Sequence, residues 1–399
     1  MVLRSIRARR SIPAAALFLV LATAGGVLIA GTTSNAALME ASGGSGLGPA
    51  AATNPPPAAS RLSPQQLAGE RIVYAYAGLQ PPASLLSAIR AGDAGGVIFF
   101  SNNIQSATQL RRVINQLQQA SLASPVRAPL LMLTDQEGGE VRRLPGAPTL
   151  SEKQIGRSAH ATSVARAAGS GAGQNLRAAG VNVNLAPVLD VYRQSGNFID
   201  QFQRSYSSNA ATVGSLGAAF IAAQQQLGVA ATAKHFPGLG AAAQSQNTDL
   251  RPVTLRPSLS TLRSVDEAPY RNAIAAGVKL VMTSWAVYPA LDSRLPAGLS
   301  SKVLQGELRG RLGFHGVTIT DGIDAGALTP FGSLSRRAVQ AASAGADLVL
   351  CVATNPSNNT PGIGTTASSA ISAAIVNHTL NLQAAQQSAA RILALRNAP

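Results

Sequence analysis

Five polar clusters interrupt a chain that is otherwise rich in apolar and small residues. Each follows a short apolar run of the kind that forms a buried strand. They are Thr134-Asp135-Gln136-Glu137-Gly138-Gly139, Ala186-Pro187-Val188-Leu189-Asp190, Lys234-His235-Phe236-Pro237-Gly238, Ser284-Trp285 and Thr320-Asp321-Gly322. Charged residues are only 12% of the 399 positions, so ionisable groups recurring at such places carry information. A single aspartate after a strand commonly caps the next helix. Polar groups at five strand ends point instead to a shared site. The groups available are carboxylates, and no G-x-S-x-G elbow accompanies them. Such a set suits cleavage of a glycosidic bond. One carboxylate attacks or stabilises the oxocarbenium-like carbon, and a second group protonates the leaving oxygen. The same inventory also suits proton abstraction in a lyase or isomerase, so residue types alone leave the reaction open.

Other chemistries are poorly supplied. The single cysteine, Cys351, can close no internal disulfide and build no thiolate cage, and the four histidines are far apart in sequence. No metal site and no cofactor are expected. The formal charge of +15 invites a nucleic-acid partner. Yet lysine occurs only at Lys153, Lys234, Lys279 and Lys302, the arginines are scattered, and aromatics are 4% of the chain. A diffuse basic exterior accounts for the charge, and no nucleic-acid partner is expected.

The clusters need elements to hold them. Apolar runs at 72–75, 96–100, 129–133, 181–185, 229–233, 280–283, 316–320 and 347–352 alternate with stretches of helical spacing. Leu110, Val113, Ile114 and Leu117 mark one such stretch, and Leu216, Ala219, Phe220 and Ala223 another. Eight strands alternating with helices predict an α/β fold, a (β/α)8 TIM-type barrel in a single catalytic domain. Its active site would lie at the carboxyl ends of the strands, where the polar clusters fall. A doubly wound open sheet is the alternative, but no strand is followed by G-x-G-x-x-G.

The start of the chain reads differently. Arg4, Arg7, Arg9 and Arg10 precede an apolar run over 12–31, and Ser34-Asn35-Ala36 offers small residues for cleavage. Residues 1–36 are expected to be a signal peptide or an N-terminal membrane anchor. Residues 37–61, rich in Ala, Gly and Pro, read as a linker, and 62–399 as the barrel. The folded part is therefore expected outside the cytoplasm, secreted or anchored, as a monomer.

Taken in order, Asp135-Gln136-Glu137-Gly138-Gly139, Asn184-Leu185-Ala186-Pro187-Val188-Leu189-Asp190, Lys234-His235-Phe236-Pro237-Gly238 and Thr320-Asp321-Gly322 resemble glycoside hydrolase family 3. More narrowly, they resemble its single-domain bacterial β-N-acetylglucosaminidases. Gly95-Gly96-Val97-Ile98-Phe99-Phe100, Tyr288-Pro289-Ala290-Leu291-Asp292 and Ala344-Gly345-Ala346-Asp347 extend the similarity over 67–397. The resemblance implies a retaining hydrolase that removes terminal β-linked N-acetylglucosamine, with peptidoglycan-derived glycans as expected substrates. It assigns Asp321 as the nucleophile. It assigns Asp135, Arg143, Arg204, Lys234 and His235 to binding the sugar. A barrel-mouth ion pair of Lys234 with Asp135 or Asp321 is compatible with that role.

Two departures stand out. The branch carries a loop histidine as general acid/base, whereas this chain reads Gly238-Leu239-Gly240, a longer small-residue stretch, and then Asn247-Thr248-Asp249. Asp249 is the aligned candidate acid/base, with Asn247 as a candidate orienting residue. The alternative is that Asp249 merely caps the loop, which its composition suggests is mobile. Trp285 replaces a usual histidine and is counted among the sugar-binding residues as a stacking platform, with a core plug under the rim as the other reading. The alternative functions are a β-glucosidase-like activity of the same family and a non-catalytic cell-wall glycan-binding barrel.

Overall fold

A computed structural model describes residues 57–398. The expected export segment, 1–36, and most of the expected linker lie outside them. The last linker positions form a short helix, Pro57–Ser60, in which Ala59 is buried. Among the described residues, no helix is long and apolar enough to cross a membrane.

Eight parallel strands close into one barrel in sequential order. They are β1 (Ile72–Tyr74), β2 (Gly96–Phe99), β3 (Leu131–Thr134) and β4 (Val183–Asn184), followed by β5 (Ala230–Phe236), β6 (Leu280–Thr283), β7 (Val317–Gly322) and β8 (Leu348–Cys351). All eight match apolar runs of the sequence. Strands buried on both faces need apolar residues at successive positions, which is why they read as runs and not as alternation. Val73, Ile98, Leu133, Leu185, Met282, Ile319 and Leu350 belong to the cluster that fills the barrel. The strands' other side chains face the outer helices in a second, larger cluster.

The helices follow the strands in turn: α1 (Ala83–Arg90), α2 (Ala107–Leu122), α3 (Ala161–Ala179) and α4 (Ala210–Gln225), then α5 (Ala268–Ala275), α6 (Lys302–Arg311, wound with i to i+5 bonds), α7 (Leu334–Ala344) and α8 (Pro361–Val376). Ser106, Asn209 and Ser333 cap α2, α4 and α7 by accepting a free N–H of the first turn. A last helix, α9 (Leu382–Arg396), lies across the amino ends of the strands. It adds Ile392 and Leu395 to the interior cluster.

Two strands run further toward the site than the sequence runs suggested. β5 continues to Phe236, so Lys234 and His235 lie within it, and β7 continues to Gly322. Polar residues extend both strands because their backbones still find partners. Phe236 pairs with Thr283, and Gly322 with Leu350. Two small hairpins decorate the same end of the barrel. Gln136–Gly138 pairs with Val141–Arg142, and Val287–Tyr288 with Asp292–Pro296.

Candidate active site

A cleft of about 430 Å³ opens at the carboxyl ends of the strands. Asp135, Arg143, Arg204, Lys234, His235, Asp249 and Asp321 all line it, over an apolar floor that includes Ile98, Leu185 and Met282. The seven polar residues come from β5, β7 and the connections after β3, β4 and β5. The barrel thus gathers side chains separated by up to 186 positions, from Asp135 to Asp321.

Lys234 organises one wall. Its Nζ donates to Asp135 Oδ1 at 2.8 Å and lies 2.8 Å from Glu137 Oε1. Burial would lower the pKa of this ammonium, but Asp135 and Glu137 raise it above the ordinary lysine value. Burial would likewise raise Asp135, yet Lys234 and Arg143 hold its carboxyl below the usual range. Arg204 donates to Glu137 through Nε at 2.9 Å and Nη2 at 2.8 Å, a planar fork matching a carboxylate. Against its burial, Arg204 and Lys234 draw Glu137 down to about 2. The sequence thus paired Lys234 with the correct aspartate in one of its two alternatives, Asp135.

His235 stands beside this wall with its Nδ1 2.7 Å from Asp190 Oδ2. Asp190 also accepts the Leu239 N–H at 2.6 Å and is fully buried. A carboxylate that only accepts makes Nδ1 the protonated nitrogen and leaves Nε2 for the cleft.

Asp321 and Asp249 bring two carboxyl groups to the same cleft. Asp321 Oδ1 accepts the N–H of Gly322 at 2.8 Å. Asp249 stays exposed to solvent on the cleft wall. Even so, desolvation within the cleft and the negative charge of Asp321 push it up to about 6, against the pull of Arg204 and His235. A carboxyl held that high is suited to donating a proton near neutral pH. The connection carrying it is docked, contrary to the mobility its composition suggests. Gly326 donates to Asp249 O at 2.7 Å and Ala327 to Thr248 O at 3.0 Å. The Gly240 carbonyl accepts from Arg193 N and Asn197 Nδ2. Small residues here permit close backbone contact. A Cβ on Gly326 would lie 2.4 Å from the Leu250 oxygen. Asn247 is not on the cleft wall. Its Oδ1 accepts the Asp249 N–H at 2.8 Å, so it shapes the backbone and not the carboxyl.

Trp285 requires a correction. It is 1% exposed, lies outside the cleft lining, and donates from Nε1 to the Gly322 carbonyl at 2.8 Å. Its ring packs so closely on Gly298 that a Cβ there would meet it at 2.5 Å. Trp285 is a plug that supports the residue after Asp321, not a stacking platform. Three buried carboxyls around the site had no assigned role from sequence: Glu137, Asp190 and Glu152. Glu137 and Asp190 sat inside the quoted strand-end segments, which was the available signal. Glu152 lay 15 residues past Glu137 with none.

Among the described residues, no cluster of three or more His, Cys, Asp or Glu could hold a metal ion. Residues 71–395 match the family described as "Glycosyl hydrolase family 3 N terminal domain". An "Uncharacterized secreted glycosyl hydrolase" of Arthroderma benhamiae is 47% identical over 332 residues, covering 83% of this chain and 92% of that one. A "Beta-hexosaminidase" of Nitrosomonas eutropha is 35% identical over 263 residues, covering 64% of this chain and 73% of the relative. The solved structure of a glycoside hydrolase family 3 beta-N-acetylglucosaminidase from a Paenibacillus species is similar at a TM-score of 0.77 and 35% identity. The similarity covers 84% of this chain and 62% of that longer one.

Proposed function

The chain belongs to glycosyl hydrolase family 3, and from that premise we propose that it removes terminal β-linked N-acetylglucosamine with retention of configuration. Asp321 attacks the anomeric carbon and Asp249 protonates the departing oxygen. Asp249 then takes a proton from the water that resolves the covalent intermediate. Asp135, Arg143, Arg204, Lys234 and His235 hold the ring through charge-assisted hydrogen bonds, some of which strengthen as the ring flattens. The observation that carries this reading is the pair of carboxyls in one cleft, of which Asp249 is raised to about 6 partly by the charge of Asp321. The named relatives support the choice of sugar.

Peptidoglycan-derived or other cell-wall glycans are the proposed substrates, and residues 1–36 and 37–61 the proposed export segment and spacer ahead of a monomeric barrel. The similarity to a secreted glycosyl hydrolase supports work outside the cytoplasm. N-terminal sequencing of protein from its native host tests whether the export segment is cleaved.

The activity is tested with aryl β-glycosides of N-acetylglucosamine, glucose, xylose and arabinose, together with a 2- or 5-fluoro sugar that traps the nucleophile. Preference for the N-acetylglucosaminide and a covalent adduct on Asp321 are the expected results. Preference for the glucoside would reassign the sugar. Sugar binding with neither adduct nor turnover would make the barrel a glycan-binding protein.

A further inference from the structure

We propose that Glu137 is a positioning residue for this reaction, presetting Lys234 and Arg204 against the sugar-ring hydroxyls. The inference rests on the glycosidase reading above. Glu137 is 1% exposed, and both its oxygens are committed. Oε2 accepts from Arg204 Nε, while Oε1 accepts from Arg204 Nη2 and faces Lys234 Nζ at 2.8 Å. Buried and absent from the cleft lining, it does not meet a substrate itself, and its effect passes through the two cations.

What it leaves free on each cation is defined. Lys234 carries three N–H donors, and Asp135 and Glu137 take two of them, so one remains for a hydroxyl. Arg204 spends its Nε and one Nη2 donor on Glu137 and keeps its Nη1 edge. Without the anion, buried Lys234 would face the half-buried guanidinium of Arg204, which already opposes its charge. The backbone that places Glu137 is equally specific. Gly138 has φ +113°, and a Cβ on it would lie 2.2 Å from the Leu150 oxygen.

A second carboxyl, Glu152, is buried close behind. Its Oε1 accepts the Val188 N–H at 2.9 Å, and its Oε2 has no partner. Burial and the charge of Glu137 push Glu152 well above the ordinary carboxylate range, which favours its neutral form. Glu137 is then the anion of the pair. Exchanging each for glutamine separates charge from shape.

The test uses the Glu137→Gln and Glu152→Gln proteins on an aryl β-N-acetylglucosaminide, with free N-acetylglucosamine as the binding probe. Glu137→Gln is expected to lower kcat/KM by about 100-fold and to weaken N-acetylglucosamine binding by about tenfold, as for lost bonds between charged groups. On an aryl substrate with a good leaving group, where loss of the Asp249 proton matters little, its alkaline limb of kcat/KM should move to lower pH, because Lys234 loses an anion that raises its pKa. Glu152→Gln should stay within about threefold of wild type, since Glu152 holds the Val188 N–H and neither Lys234 nor Arg204, and a glutamine oxygen can still accept that bond. Equal losses in the two variants, or an unmoved alkaline limb, would overturn the inference. If wild type turns over no glycoside, the glycosidase reading fails by itself. The crystal structure of Glu137→Gln then decides: displaced Lys234 and Arg204 side chains support the positioning role, and unmoved ones overturn it. Should Glu137→Gln not fold, Glu137→Asp tests position alone: withdrawing the carboxylate by one methylene should lower kcat/KM by about tenfold or more, and a wild-type kcat/KM would overturn the inference.

Discussion

In the proposed reaction Asp249 has to act as a protonated acid beside the nucleophile Asp321. Their shared cleft favours that form, since desolvation and the charge of Asp321 raise Asp249 to about 6. The acid form is full below that pH and falls about tenfold per unit above it. We therefore expect kcat/KM for glycosides with poor leaving groups to decline above about pH 6, and for aryl glycosides with good ones to decline far less. Asp249→Asn should lose kcat/KM on the first substrates by about 100-fold or more and largely keep it on the second, because only a poor leaving group needs the proton, while kcat falls on both for want of the base that activates water. Equal losses of kcat/KM on both substrates would remove Asp249 from the acid role. The same shift has a thermodynamic sign. The folded chain binds more protons than the unfolded one between about pH 4 and about 6, so this group lowers stability as pH rises through that window. At Trp285 the expectation concerns folding. Trp285→Phe removes one buried hydrogen bond and should cost about 1 kcal/mol, and Trp285→Ala about 3–5 kcal/mol with its cavity. Urea midpoints measure both, with KM unchanged while the protein stays folded. The strand-end position of Trp285 was legible in sequence. The face it presents was not, because the bend after β6 decides that.

The connection after β5 and the turn after β7 act as one element. The carbonyls of Thr248 and Asp249 are tied to Ala327 and Gly326. Asp249 is thereby fixed to a turn that begins five residues after Asp321. Gly326→Ala drives a methyl into the Leu250 carbonyl and must push the two segments apart. We expect it to cut turnover of poor-leaving-group substrates by about 10–100-fold, with a smaller effect on activated ones, while shifting stability by only about 1–2 kcal/mol. Wild-type rates on both substrates would show that the clasp does not set the position of Asp249. Composition suggested a mobile loop here because small polar residues read alike whether they wave in solvent or pack backbone to backbone. The eight strands were legible for the converse reason: burial on both faces leaves an unbroken apolar run. The two hairpins at the mouth were not legible, since both are held by a few backbone bonds, the first with glycines at positive φ. Glu137 belongs with them. Its partner Arg204 is 67 residues away, and only closure of the barrel brings them together.

The molecule separates the chemistry at one end of the barrel from the closure of the other. At the closed end α9 lays Ile392 and Leu395 under the interior cluster. Its last residue, Arg396, is buried and reaches Glu70 by an ion pair. Arg396 also donates to the carbonyls of Pro129 at 2.6 Å and Ala128 at 2.8 Å. One guanidinium thus joins α9 to the entry of β3 and to the turn before β1. Burial holds Glu70 above the ordinary carboxylate range even with Arg396 beside it. Arg396→Ala would strand that carboxyl and should cost about 3–5 kcal/mol near neutral pH. The cost has a pH dependence of known sign. With its cation gone, Glu70 takes a proton more readily, so the destabilisation should shrink as pH falls and grow as it rises. Replacing both partners with apolar residues, as in Glu70→Leu with Arg396→Met, should recover much of the loss, because no buried charge is left unpaired. Urea titrations at several pH values read these outcomes. A flat, small penalty for Arg396→Ala would mean that the ion pair does not hold the helix. The kcat of the folded variants should match wild type, because the site is built from the opposite ends of the strands. A fall in kcat at full folding would show that closure at the amino ends reaches through the packed interior to the cleft.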